Sequence, residues 1–255
     1  MDARVALSCL ALVALPAAAF DHTHAAWGAL LARHVVVQEG GNASRVRYAG
    51  MAAERSLLKQ YLRTLSDTPV AEFDGWTSAE QKAFLINAYN AFTVEKILGR
   101  YPGIRSIWDY GKIFGNPFKD EFFALLGRRA SLDWIEQDTL RKRYADPRLH
   151  FALNCASVGC PMLREEPYVA ARLEAQLDDQ ARRFLSDRSR NRLRDARLEV
   201  SKIFDWYKAD FQPVNDYLAR YAAALGTDAA TAARAPIIYL EYDWALNDSP
   251  SSSPR

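Results

Sequence analysis

The sequence predicts an α+β fold in which helices predominate, a single domain with a few short strands and one β-hairpin. Three observations predict it. Helical patterns recur over long stretches, whereas the strand-type runs are all short. Hydrophobic residues make up 49% of 255 residues, enough to bury one sizeable core. No repeat occurs at the 20 to 50 residue period that repeat architectures use.

The chain starts with Arg4, the apolar run Val5 to Leu15, Pro16 and the small residues Ala17 to Ala19, the pattern of a secretory signal over residues 1–19. The run is too short to cross a bilayer, and no later stretch reaches that length. The mature chain is therefore expected to carry no transmembrane segment and to be exported, into the periplasm if the cell is Gram-negative. Residues 20–248 are expected to form the domain, and residues 249–255, rich in Ser and Pro, a disordered tail.

The clearest helix runs from about Ser78 to Gly99. Thr77 with Glu80 has the spacing of a capping box, Phe84, Ala88, Ala91 and Leu98 form an apolar stripe, and Gly99 with Pro102 stops the helix. Further amphipathic helices are expected at Ala52 to Leu65, Leu132 to Tyr144, Pro167 to Leu185 and Pro213 to Leu225, with Pro167 in a first turn. Phe122 to Leu126, a turn centred on Gly127 and Ala130 to Leu132 predict the hairpin. Leu149 to Leu153, Leu198 to Ser201 and Ile237 to Tyr242 read as short strands. Gly226 to Pro236 is a connector with room for one helical turn.

Charge is nearly balanced, with 33 Lys and Arg against 31 Asp and Glu, and no basic stripe is present. That excludes the footprint of a nucleic-acid binder, so no nucleic acid is expected as a partner.

Chemistry concentrates between His150 and Cys160, where an apolar start gives way to small and polar residues. His22, His24 and His34 lie near the mature amino terminus, which leaves His150 as the one histidine in the body of the domain. Cys9 leaves with the signal, so Cys155 and Cys160 remain. One reading makes Cys155 a nucleophile activated by His150, because a thiol is weak at neutral pH until a base lowers its pKa. On a strand, His150, Ala152 and Asn154 would face away from Cys155, so the pair needs a turn at Asn154. The other reading joins Cys155 to Cys160 in a small disulfide loop, which Gly159 and Pro161 allow and an oxidising compartment favours. Two cysteines and one histidine are too thin a ligand set for zinc, and no cofactor is expected.

Asn87 and Asn90 interrupt the apolar run of the central helix, and a buried amide must find partners or cost about 1 to 3 kcal/mol. They either clamp loop backbone or, for Asn87, orient a catalytic histidine or donate to an oxyanion. Glu136 and Arg141 are five residues apart, too far round an α-helix to pair. Arg141 is expected on a solvated face, Glu136 partly buried against a cation. The aromatic stretches Ile203 to Phe211 and Tyr239 to Trp244 read as core, with Asp243 as a candidate orienting carboxylate.

Four motifs in order, Phe84-Leu-Ile-Asn-Ala-Tyr-Asn-Ala91, Ser131-Leu-Asp-Trp-Ile-Glu136, Arg148-Leu-His-Phe-Ala-Leu-Asn-Cys-Ala-Ser-Val-Gly-Cys-Pro161 and Tyr242-Asp-Trp-Ala-Leu-Asn247, resemble the family catalogued as domain of unknown function 547. The resemblance spans most of the mature chain. It implies an exported bacterial member and marks Asn87, Asn90, Glu136, His150, Cys155 and Cys160 as motif positions. It implies no settled activity. Relatives carry His after the Ile-Glu pair where this chain has Gln137, which argues against a role needing a second histidine there.

The leading expectation is a thiol-dependent hydrolase or acyltransferase acting on a peptide or small-molecule substrate. Cys155 would attack, His150 would exchange the proton, and Asn87 or Asn154 would orient the base or stabilise the oxyanion. Asn90, Glu136, Cys160 and Asp243 would line or bind. The alternative is a noncatalytic cell-envelope module, its disulfide structural, that takes a peptide or protein partner in a groove lined by Tyr and Trp.

Overall fold

The computed structural model describes residues 19–38, 40–111 and 115–249. The expected signal at residues 1–19 and tail at 249–255 lie outside these residues, apart from Ala19 and Ser249.

The amino-terminal part is helical around a small ribbon. It comprises α1 (Ala25–His34), β1 (Val35–Val37), β2 (Ser44–Val46), α2 (Tyr48–Ala53), α3 (Arg55–Ser66), α4 (Val70–Asp74) and α5 (Ser78–Leu98). The expected capping box is present: Thr77 Oγ1 accepts from the Glu80 backbone N–H while Glu80 accepts from the Thr77 N–H. Gly99 caps the far end, and a Cβ there would come within 2.7 Å of the Tyr110 hydroxyl. α5 is buried along most of its length and packs against α3, so it is the axis of the larger core.

The predicted hairpin follows as β3 (Phe123–Leu125) and β4 (Arg128–Ala130), antiparallel and joined by Leu126 and Gly127. Both turn residues have positive φ, at 50° and 75°, as a two-residue turn of the I′ type requires. Past the hairpin the chain winds as a π-helix over Trp134–Leu140 before α6 (Arg141–Tyr144).

At Leu149 to Leu153 the structure differs from the predicted strand: Leu149–Ala152 is a helical turn, α7. Asp146 and Pro147 precede it, and the Asp146 side chain accepts from the Arg148 N–H at 3.0 Å. That start signal outweighs the β preference of a short apolar run. Pro167 is likewise not in a helix. α8 begins later (Leu173–Ser186), because side chains take the backbone polar groups before it: Asn87 bonds the Tyr168 N–H and C=O, and Gln176 accepts from the Val169 N–H.

The remainder comprises β5 (Arg192–Arg194), β6 (Arg197–Val200), α9 (Ile203–Trp206), α10 (Val214–Arg220), α11 (Ala229–Arg234) and β7 (Ile237–Tyr239). These strands form one sheet in the order β5-β6-β7, with β5 and β6 antiparallel and β6 and β7 parallel. α11 is the helical turn expected in the connector. The whole is a mainly helical α+β fold with small sheets.

Two apolar clusters divide the interior. One surrounds α5; the other gathers Phe184, Phe204, Phe211 and Tyr217. α7 lies at the seam, since Leu149 and Ala152 belong to the first and Phe151 to the second. His150 therefore stands between two cores.

Candidate functional site

Three buried asparagines place the segment that follows α7. Asn90 donates Nδ2 to the Ala152 carbonyl at 2.9 Å and accepts the Asn154 N–H at 2.8 Å. Asn154 donates to the Pro161 carbonyl at 2.7 Å and accepts the Ala156 N–H at 3.0 Å, so one amide spans the loop that holds both cysteines. Asn87 donates to the Tyr168 carbonyl and accepts the Tyr168 N–H, clamping loop backbone as one of its two expected roles would have it. These hydrogen bonds offset the cost of burying the three amides.

The loop leans on the last motif of the chain. Gly159 donates to the Asp243 carbonyl at 2.8 Å, and a Cβ at Gly159 would crowd the Asp243 backbone at 3.0 Å. Asp243 caps its own turn, accepting from the Ala245 N–H at 2.9 Å. It does not orient His150.

Cys155 and Cys160 are joined in a disulfide. While that bond stands neither sulfur has a thiolate to attack with, so the nucleophile expected at Cys155 requires the bond to be opened. Cys155 Sγ sits 3.1 Å from the Tyr242 hydroxyl and 3.2 Å from Ser157 Oγ.

The carboxylate that orients His150 is Asp210. His150 Nε2 lies 2.6 Å from Asp210 Oδ2, and since an ionised carboxylate only accepts, Nε2 carries the proton. Arg141 donates Nε to the same oxygen at 2.6 Å and Nη2 to Oδ1 at 2.8 Å, a bidentate pair that corrects the solvated face expected for it. The hydrogen bonds from His150 and then Arg141 hold the Asp210 carboxyl well below the usual carboxylate range. No second partner is present at His150 Nδ1 among the described residues.

Tyr207 stacks on the His150 ring with centroids 3.9 Å apart and donates its hydroxyl to Glu136 Oε1 at 2.6 Å. Gln137 Nε2 donates to the same oxygen at 3.0 Å. Gln137 also accepts from Arg141, so it bridges two side chains of the site. The π-helix explains how: its wider turn bonds the Arg141 N–H to the Glu136 carbonyl, five residues back. Burial first, and the Glu136 carboxylate second, push the Tyr89 and Tyr207 phenols far above their ordinary range. Both stay protonated as donors. Glu136 is partly buried as expected, but its partners are neutral donors in place of a cation.

These groups border a cavity of about 370 Å³ lined by Glu136, Gln137, His150 and the disulfide together with Trp108, Phe118, Trp206, Tyr242 and Trp244. The aromatic wall is continuous: Tyr242 to Trp244 is 4.5 Å between centroids, Trp206 to Tyr242 4.8 Å and Trp108 to Trp244 5.3 Å. Of the sequence candidates, Glu136, His150, Cys155 and Cys160 line the cavity. Asn90 and Asn154 hold its floor from behind, while Asn87 and Asp243 are elsewhere.

Sequence reasoning assigned the stretches of Tyr207, Asp210, Trp206, Tyr242 and Trp244 to the core, expected a groove lined by Tyr and Trp without naming its residues, and did not single out Trp108. The available signal was Asp210 itself, an acid that, with Asp205 and Lys208, interrupts the aromatic stretch Ile203 to Phe211.

No cluster of His, Cys, Asp and Glu suited to a metal occurs among the described residues, and no helix among them is long and apolar enough to cross a membrane.

Residues 73–185 match the family described as "Protein of unknown function, DUF547". The match takes in Glu136, His150, Cys155 and Cys160, whereas Tyr207, Asp210, Tyr242 and Trp244 lie beyond it. No curated protein and no solved structure matches the chain.

Proposed function

We propose that the chain, whose residues 73–185 carry the DUF547 match, is an exported noncatalytic binding module that takes a peptide segment into the aromatic cavity between its two cores. One observation carries the reading: the sulfurs that would have done chemistry are bonded to each other, beside a cavity walled by tryptophan and tyrosine. The cavity falls in the size range of ligand sites, roughly 300 to 1,000 Å³. Its rim offers Trp206, 46% exposed, and large exposed aromatics on a polar-edged surface mark contact sites. The disulfide favours an oxidising compartment, and so export.

The test is a titration of blocked tripeptides against intrinsic tryptophan fluorescence, with alkylation of the unfolded, unreduced chain mapped by mass spectrometry. The expected result is a saturable signal that Trp206→Ala weakens at least about tenfold, with Cys155 and Cys160 unmodified. Free, alkylated Cys155 in the working protein would remove the basis of the reading.

A second reading rests on the fact that His150 and Cys155 line one cavity. A dithiol reductant would open the disulfide and restore the thiol, giving a reductant-dependent hydrolase or acyltransferase. Ester hydrolysis that appears only after reduction and vanishes in Cys155→Ser would favour it over binding alone.

A further inference from the structure

Several part-buried carboxylates of the molecule are matched with guanidinium groups: Arg55 pairs with Glu95, Arg148 with Asp146, Arg190 with Asp187 and Arg192 with Glu199. Glu136, in the cavity, is not matched in this way. Its partners, Tyr207 and Gln137, are neutral, and no cation forms an ion pair with it among the described residues. Arg141, on the same turn, is already bound by Asp210 and Gln137. Asp133, three residues earlier, also lines the cavity and has no ion-pair partner among the described residues. No described Lys or Arg lines that cavity.

Neutral donors spread a carboxylate's charge without cancelling it, so the cavity holds net negative charge. In a partly dry site that is costly unless a counter-charge arrives. Aromatic rings line the same cavity. Trp206, Tyr242 and Trp244 turn their rings toward one another, with centroids 4.5 to 5.7 Å apart, and aromatic faces attract cations through their quadrupole.

We propose that the cavity recognises a cationic side chain, a protonated amine or a guanidinium, held by the Glu136 and Asp133 carboxylates together with the Trp206, Tyr242 and Trp244 rings that line the same cavity. This rests on the binding reading above and names the class of its ligand: a basic residue within a peptide. The partner surface it fits is therefore positive at one residue and otherwise unspecified in charge.

The experiment uses the whole chain and three end-blocked tripeptides, acetyl-Ala-X-Ala-amide with X as lysine, norleucine or glutamate, followed by tryptophan fluorescence and by calorimetry. Lysine and norleucine differ in little but the ammonium group. The expected result is a lysine peptide bound at least about tenfold more tightly than the norleucine peptide, a margin that falls below about twofold in Glu136→Gln. Asp133→Asn, which touches none of the Tyr207 and Gln137 bonds, reduces the margin too and guards against misfolding of the first variant. Equal binding of lysine and norleucine, or tighter binding of glutamate, overturns the cation while leaving the binding module in place. If no peptide moves either signal, the binding reading fails and carries this inference with it.

Discussion

Two histidines are buried to nearly the same degree, His24 at the amino-terminal helix, 1% exposed, and His150 in the cavity, 6% exposed, yet their surroundings are opposite. His24 Nδ1 meets the Tyr61 hydroxyl at 2.8 Å, and its Nε2 has no partner. Burial lowers its pKa to about 4. His150 is tied through Nε2 to a carboxylate, is stacked by Tyr207 and belongs to the lining of a cavity. Burial alone makes a histidine a neutral packing group; burial beside a carboxylate sets its tautomer and presents its other nitrogen to whatever enters. The second is the arrangement a functional site can use.

The largest effect that would sharpen this contrast is acid sensitivity from His24. In the unfolded chain it takes a proton near pH 6.5, whereas the folded ring stays neutral until about pH 4. Between those values the unfolded state binds more protons, so stability rises with pH and is lost as pH falls, by about 3 kcal/mol across the window. Urea midpoints at pH 6.5 and pH 4 should therefore converge in His24→Gln. Parallel pH profiles for wild type and variant would show that the ring is not the neutral group described here.

A smaller loss is expected from Asp210→Asn, about 2 kcal/mol at neutral pH, because Arg141 and His150 lose one shared anion. The loss stays below that of a fully buried pair since about a quarter of each side chain is exposed. The pH window, with the same sign in both, separates the two regions. The folded Asp210 carboxyl lies below its ordinary 3.8, so its contribution is present above pH 3.8 and lost as pH falls further, beneath the His24 window. A variant as stable as wild type at pH 7 would remove Asp210 as the anchor of the cavity.

The smallest effect is that of Tyr61→Phe, about 1 kcal/mol for a single buried hydrogen bond. It should leave peptide binding in the cavity unchanged. A change in cavity binding would mean that the two histidine regions are coupled.

How much of this could be read in advance depended on the range of the interactions. The capping box of Thr77 and Glu80, the turn at Gly127 and the match of residues 73–185 to DUF547 follow from neighbours along the chain. The β5 to β6 turn, by contrast, uses Asp195 and Ala196 at φ 49° and 58°, with no glycine to announce it. The Leu149 to Ala152 turn was read as a strand because its apolar composition spoke louder than the Asp-Pro before it.

By itself the sequence determined that helices predominate, where the central helix begins and which short segment gathers polar residues, since these rest on local hydrogen bonding and periodicity. Tertiary structure alone decided which groups meet. Asp210 lies 60 residues from His150, Tyr207 lies 71 from Glu136 and Tyr242 lies 87 from Cys155. Pairs at such separations are chosen by how two cores pack across a seam, and no local pattern encodes them.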